Sequence, residues 1–227
     1  MSGFTEADVP DQEGKCFIVT GANTGIGFEA ARVLARKGAR VLLGCRDAGK
    51  AAEAIRLIGP GVDAAHLPLD LADLGSVARA AELAAREPYI DALINNAGVM
   101  FPPLTRTAQG FELQWGVNHL GGFALTGLLL HKLAETPGSR VVVTSSLAHR
   151  RGNIQWDDLG AEKSYNRSAR CSDSKLANML HFAELDRRLR AAGSTVKSLA
   201  AHPGYAATNL QSAGPPLFDR LVMVASN

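Results

Sequence analysis

The segment Gly21-Ala-Asn-Thr-Gly25-Ile-Gly27 has the residue types and spacing of a phosphate-binding turn. An apolar, β-rich run, Cys16–Thr20, leads into it, and a helix-period stretch follows. Gly21 permits a tight turn, Gly25 lets the backbone approach a phosphate, and Gly27 lets the helix pack close to the strand. Asn23 and Ile26 lie within the same turn. Free N–H groups at the start of the helix then attract an anion. A glycine triplet alone is a weak signal, but its place between a strand and a helix is the context a dinucleotide requires. A structural turn and an S-adenosylmethionine site are the alternatives. The second apolar run ends in Gly44-Cys45-Arg46, with no Asp or Glu to bind a ribose 2′-hydroxyl. An arginine there accommodates a 2′-phosphate, so Arg46 favours NADP(H) over NAD(H). The bland alternative makes Arg46 an ordinary surface residue beside Asp47.

These groups need a scaffold, and the hydrophobic pattern supplies one. Six short apolar runs recur: Cys16–Thr20, Arg40–Gly44, Ala65–Leu69, Ala92–Asn95, Arg140–Thr144 and Val196–Ala200. Most are β-rich and bounded by turn-forming residues, as buried strands are. Between them lie helix-period segments. Ile26, Ala30, Val33 and Leu34 share one face, as do Val77, Ala80, Ala81 and Ala84, and Leu176, Met179, Leu180 and Ala183. This alternation predicts a single α/β domain over residues 1–227, a doubly wound Rossmann-type parallel sheet in three α/β/α layers. Ligands of such sheets bind beyond the carboxyl ends of the strands.

Composition narrows the function classes. The 227 residues are 46% hydrophobic and carry a formal charge of only +2. No basic run supplies a nucleic-acid footprint, so none is expected as a partner. The longest candidate apolar helix, Gly121–Leu130, is about half of what a membrane span needs. The N-terminus has no secretory pattern. Cys16, Cys45 and Cys171 form neither a CxxC pair nor a disulfide framework, which fits a cytoplasmic protein. There is no Cys/His ligand cluster, and no metal is expected.

The remaining motifs are Asp70-Leu71, Asn95-Asn96-Ala97-Gly98, Asn118 in Gly-Val-Asn-His-Leu-Gly, Ser145-Ser146, Ser174-Lys175 and Pro203-Gly204-Tyr-Ala-Ala-Thr208. In this order, over residues 13–210, the chain resembles the short-chain dehydrogenase/reductase family. The phrases Cys45-Arg46-Asp47, Ser145-Ser-Leu-Ala-His149 and Ser174-Lys-Leu-Ala-Asn178 look most like its retinol-dehydrogenase-like branch, which handles lipophilic alcohols and carbonyls, usually with NADP. The resemblance implies hydride exchange between a nicotinamide and a small carbonyl or alcohol. It assigns Gly21, Gly25 and Gly27 to the pyrophosphate, and Asp70 and Leu71 to the adenine. Asn96, Ala97 and Gly98 would support the cofactor. Asn118 would hold a water in a proton relay, Ser146 the substrate oxygen, and Lys175 the nicotinamide ribose. Pro203, Gly204 and Thr208 would hold the nicotinamide end. Each has a plainer reading: Asn96 as a turn residue, Ser145 and Ser146 as caps at a strand end, Thr208 as a helix cap. His149 and His202 lack a nucleophile to serve and are given no catalytic role.

Two departures stand out. The family pattern Tyr-x-x-x-Lys here reads Cys171-Ser-Asp-Ser-Lys175. Spacing by four keeps Cys171 and Lys175 on one helical face, but the phenol that exchanges the substrate proton is missing. Such a group contributes about 10²–10⁴-fold. A thiol near Lys⁺ is expected to have a lowered pKa, yet its shorter side chain falls short of the phenol's reach. Tyr165, ten residues before Lys175, is expected in the preceding loop. Cys171 is therefore a loss that leaves a weak enzyme or an NADP(H)-binding protein, a water-assisted or redox-sensitive thiol, or a change in an otherwise ordinary reductase; its plainer reading is a small buried residue with no chemistry. The second departure is a C-terminus that looks curtailed after Pro203-Gly204, in the region where the family carries its substrate lid, seventh strand and homo-oligomer contacts.

Overall fold

The computed structural model describes residues 3–204. Six strands form one sheet: β1 (Cys16–Thr20), β2 (Arg40–Cys45), β3 (Ala64–Pro68), β4 (Ala92–Asn95), β5 (Arg140–Thr144) and β6 (Lys197–Ala201). Their order is β3-β2-β1-β4-β5-β6, and every pairing is parallel. This is the doubly wound arrangement, whose winding reverses between β1 and β4 and opens a crevice at their carboxyl ends. The predicted strands are all present, with β3 shifted one residue towards the N-terminus and β6 one residue towards the C-terminus.

Successive residues of each strand face opposite layers. Phe17, Val19, Val41 and Leu43 pack with Ala31, Ala35, Ala54 and Ile58 of α1 (Gly25–Arg36) and α2 (Ala48–Ile58). Ile18, Leu42, Leu93 and Val141 pack with residues of α3 (Leu74–Ala84), α5 (Gly121–Ala134) and α6 (Arg167–Ala191). The predicted face of α3, Val77 with Ala80, Ala81 and Ala84, is fully buried. The other two faces need correction. In α1 the buried residues are Gly27, Ala31 and Ala35 rather than Ile26, Ala30, Val33 and Leu34, which are half-buried. Small side chains at every fourth position let α1 lie close on the sheet. In α6, Leu180 and Ala183 are exposed, and the buried residues include Arg170, Ser174 and Asn178. That helix turns its polar groups inward.

α5 is the continuation of a longer helical run. A short α4 (Leu113–Trp115) passes into a π-helical turn over Gly116–Leu120, and α5 follows without a break. Such turns occur often at functional sites. Among the described residues no helix is long and apolar enough to cross a membrane.

Candidate functional site

The glycine turn lies at the carboxyl end of β1. Gly21 has φ +67°, Gly25 has φ +59°, and the Gly21 N–H donates to the Gly44 carbonyl at 2.7 Å. A Cβ on Gly21 would stand 3.0 Å from the Ala97 Cα, and one on Gly27 would collide with the Gly21 carbonyl oxygen and the Asn96 amide. The cradle is thus shaped by absent side chains. Asn96 Nδ2 donates to the Thr20 carbonyl at 3.0 Å, and Thr20 Oγ1 accepts from the Asn96 and Ala97 N–H groups at 2.9 and 3.0 Å. Thr20 and Asn96 therefore bolt β1 to the end of β4 across the switch point. The first turn of α1 carries no acidic residue, whereas Asp47 and Asp73 cap α2 and α3. An anion is accommodated at α1 and opposed at the other two.

The ends of β2 and β3 form the side of the crevice to which the family resemblance assigns the adenosine. Arg46 is exposed and makes no ion pair among the described residues, and its neighbour Asp47 accepts the Lys50 N–H at 2.9 Å. Leu71 is buried, and Asp70 Oδ1 accepts the Ala72 N–H at 2.9 Å. Asn23 and Ile26 are half-buried in the turn. These residues fit a dinucleotide: a cradle closed to any Cβ, an uncapped-by-acid helix start, and a cationic side chain at the end of β2.

The floor of the crevice is built by the π turn, β5 and α6. Asn118 Oδ1 accepts the Val99 N–H at 2.7 Å, and its Nδ2 donates to the Val99 carbonyl and to Ser174 Oγ at 3.0 and 3.1 Å. Ser174 Oγ donates in turn to the Cys171 carbonyl at 2.7 Å. Lys175 Nζ donates to the Thr144 carbonyl at 3.1 Å. A Cβ built on Gly98 would lie 3.2 Å from Asn118 Oδ1 and 3.9 Å from Lys175 Nζ, so all three residues share one corner. Ser145 is buried and donates to the Lys175 carbonyl at 3.2 Å. Ser146 follows it at the mouth of the crevice, where its Oγ accepts the Ala148 N–H at 3.2 Å.

Comparison with known proteins fits this arrangement. Residues 15–214 match the family model described as short chain dehydrogenase. The chain belongs to that family. It is 48% identical over 211 residues to retinol dehydrogenase 14 of Mus musculus, covering 87% of this chain and 63% of that one. It is 49% identical over 213 residues to retinol dehydrogenase 13 of Homo sapiens, covering 91% and 62%. These values place it in the retinol-dehydrogenase-like branch. The chain spans about three-fifths of the length of these curated relatives. A crystal structure of a putative uncharacterized protein from Mycobacterium Paratuberculosis superposes with a TM-score of 0.82 at 47% identity, over 93% of this chain and 76% of that one.

Within this short-chain dehydrogenase scaffold, residue 171 is the anomaly. Cys171 is buried, and desolvation pushes its thiol above the ordinary range; Lys175 offsets this only in part, and Glu112 adds to it. The expectation of a thiol acidified by its lysine is thereby corrected. Burial outweighs the neighbouring charge, and the group is a neutral thiol at pH 7. Burial also lowers the Lys175 ammonium below its usual range. Tyr165 offers no substitute phenol. It lies before α6, its hydroxyl donates to the Pro102 carbonyl at 2.8 Å, and burial raises its pKa. His149 Nδ1 sits 2.6 Å from the Ser146 carbonyl, a local contact within its own turn. Pro203 and Gly204 follow β6 and are exposed; Thr208 lies outside the described residues.

Several contributors carried no signal in the sequence reading. Thr20 looks like a strand end, and its bolt becomes visible only when β4 is placed beside it. Glu112 is fully buried and accepts the Gln114 and Trp115 N–H groups at 3.0 and 2.8 Å, which starts the helical run towards Asn118. Arg170 and Asp158 form a buried ion pair at 2.9 Å that fixes the segment before α6.

Proposed function

We propose that the chain is an NADP(H)-dependent oxidoreductase acting on a lipophilic carbonyl or alcohol, with its proton transfer weakened by Cys171. The observation that carries this reading is the closed Gly21–Gly27 cradle opening onto the corner shared by Gly98, Asn118 and Lys175. A bound nicotinamide supplies the hydride; the protein supplies orientation and electrostatics. Lys175 holds the ribose, and Ser146 Oγ directs the substrate oxygen. Asn118, pinned on both sides by Val99, orients a water that reaches where the phenol would have stood. Arg46 selects the 2′-phosphate. The names of the retinol dehydrogenases support the lipophilic substrate class. The three free cysteines fit a cytoplasmic setting. Exposed Phe123, Leu128 and Leu180 on α5 and α6 support a homo-oligomer.

The test is NADPH oxidation with a panel of aldehydes and ketones, for the unmodified chain and its Cys171→Tyr variant together. The variant is expected to gain about 10²–10⁴-fold, the contribution of a positioned acid. Equal rates would sink the assignment of residue 171. The neutral, buried Cys171 thiol favours a second reading, an NADP(H)-binding protein without turnover. Tight NADPH binding with no oxidation by the unmodified chain would establish it.

A further inference from the structure

Asn178 ends the Ser174-Lys-Leu-Ala-Asn178 phrase that marks the branch, yet no role in the proposed chemistry falls to it. It is buried, at 5% exposure, on the inward face of α6. Its Nδ2 donates to the Asn118 carbonyl at 2.9 Å, and its Oδ1 faces His119 Nδ1 at 3.1 Å. Asn118 and His119 are central residues of the π turn Gly116–Leu120. One turn earlier on α6, Ser174 Oγ accepts from the Asn118 side chain at 3.1 Å. Ser174 and Asn178 are four residues apart and so project from one face. They grip the same residue by its side chain and by its backbone.

We infer that Asn178 is a positioning residue: it fixes the π turn on α6 and thereby sets where the Asn118 amide stands. The inference rests on the oxidoreductase reading for what Asn118 does there. The physical argument is one of compensation. A π turn departs from the regular i→i+4 ladder, so its backbone groups are less firmly held than in an α-helix. The Asn178 bond adds a fixed tertiary partner to the Asn118 carbonyl at the point where the helix changes its pitch. The Asn178 amide supplies a donor to that carbonyl and an acceptor to the next side chain, which few residue types can do at once. Aliphatic packing would fill the volume and hold neither group.

The experiment reads a bond that Asn178 does not touch. The Val99 N–H donates to Asn118 Oδ1 at 2.7 Å, so its hydrogen exchange reports the placement of Asn118. Asn178→Leu and Asn178→Asp are compared with the unmodified full chain at pH 8, where the new carboxylate has no proton to donate. Exchange at Val99 is expected to quicken about tenfold, while amides of β2 such as Leu42 keep their protection. Thermal unfolding shows which variants are folded, and either folded variant decides. Unchanged Val99 protection overturns the inference. In the Cys171→Tyr background, kcat for NADPH-dependent reduction is expected to fall about tenfold with KM for NADPH within about twofold. An unaltered kcat alongside fast Val99 exchange also overturns it. If Cys171→Tyr itself shows no turnover, the oxidoreductase reading fails by that result, and the Val99 exchange still judges Asn178.

Discussion

Replacing Gly27 with alanine adds one methyl group at the tightest approach in the cradle. The new Cβ would lie against the Gly21 carbonyl oxygen and 2.5 Å from Asn96 Nδ2. Neither neighbour is the free end of a flexible side chain: one is backbone, and the other is bonded to the Thr20 carbonyl at 3.0 Å. The helix must therefore lift from the sheet or the Asn96 amide must leave its partner. Overpacking of this kind costs about 1–3 kcal/mol, and the displaced hydrogen bond adds about 1 kcal/mol. The sum, about 2–4 kcal/mol, corresponds to a fall in Tm of roughly 4–16 °C for a chain of this size. Lifting α1 also withdraws its first amides from a phosphate, so NADPH affinity should fall at least tenfold. Gly127 provides the control. It lies in α5, has open space around its Cβ position and does not have a positive φ. Gly127→Ala should instead stabilise by about 0.5–1 kcal/mol through helix propensity. Thermal unfolding followed by circular dichroism and NADPH titration by fluorescence measure both quantities. A Gly27→Ala protein that melts with the parent and binds NADPH equally well would refute the close-approach argument.

Three further outcomes follow from the site and its surroundings. Arg46→Ala should weaken NADPH binding by roughly 10- to 150-fold, the worth of a charge-assisted contact to phosphate of about 1.5–3 kcal/mol, and leave NADH binding unchanged; calorimetric titration with both nucleotides checks this. All three thiols are buried and shifted upwards, Cys16 to about 12. A thiol reagent at pH 7 should label none of them in the folded chain and three after denaturation, and Cys16 alone holds about 10³-fold less thiolate than its ordinary value would give. Burial and the nearby His119 lower His181 to about 4. Its charged form is disfavoured in the fold, so the contribution is intact above the unfolded pKa near 6.5 and lost as pH falls towards 4. Denaturant unfolding should show about 2 kcal/mol less stability at pH 5 than at pH 7 from this group, and His181→Leu should flatten that slope.

The parts of the fold that obey a single local rule were legible in the sequence. A strand buried on both faces reads as a near-continuous apolar run, so β1, buried along its whole length, announces itself by composition. The glycines at 21, 25 and 27 are equally plain, because only glycine fits the backbone they adopt and the approach they allow. The faces of α1 and α6 were misread for a common reason. Periodicity favours the largest apolar residues as the buried ones. In α1 the close approach to the sheet selects Gly27, Ala31 and Ala35 instead. In α6 the inward face holds the segment before it through Arg170 and the π turn through Ser174 and Asn178, and it leaves Leu180 outside. The acidity of Cys171 was misjudged in the same way. Its lysine is visible at a spacing of four, but the burial that outweighs it is set only by the folded packing. Thr20 and Asp158 are readable only once their partners Asn96, Ala97 and Arg170 are in place.

The floor of the crevice does not depend on the side chain at position 171. Ser174 Oγ bonds to the backbone carbonyl of Cys171, not to its sulfur. Lys175 is held by the Thr144 carbonyl and Asn118 by Val99 and Ser174. Exchanging the residue at 171 therefore leaves every one of these bonds available, and the Cys171 side chain contributes only buried volume and a neutral thiol. The same independence explains why the rest of the family pattern can stand around a cysteine: Asn118, Ser174 and Lys175 are held by backbone and amide groups rather than by the side chain at 171. On the proposed reading, a tyrosine placed here meets Asn118, Ser174 and Lys175 already held by their own partners. Restoration of turnover by Cys171→Tyr should accordingly need no second substitution.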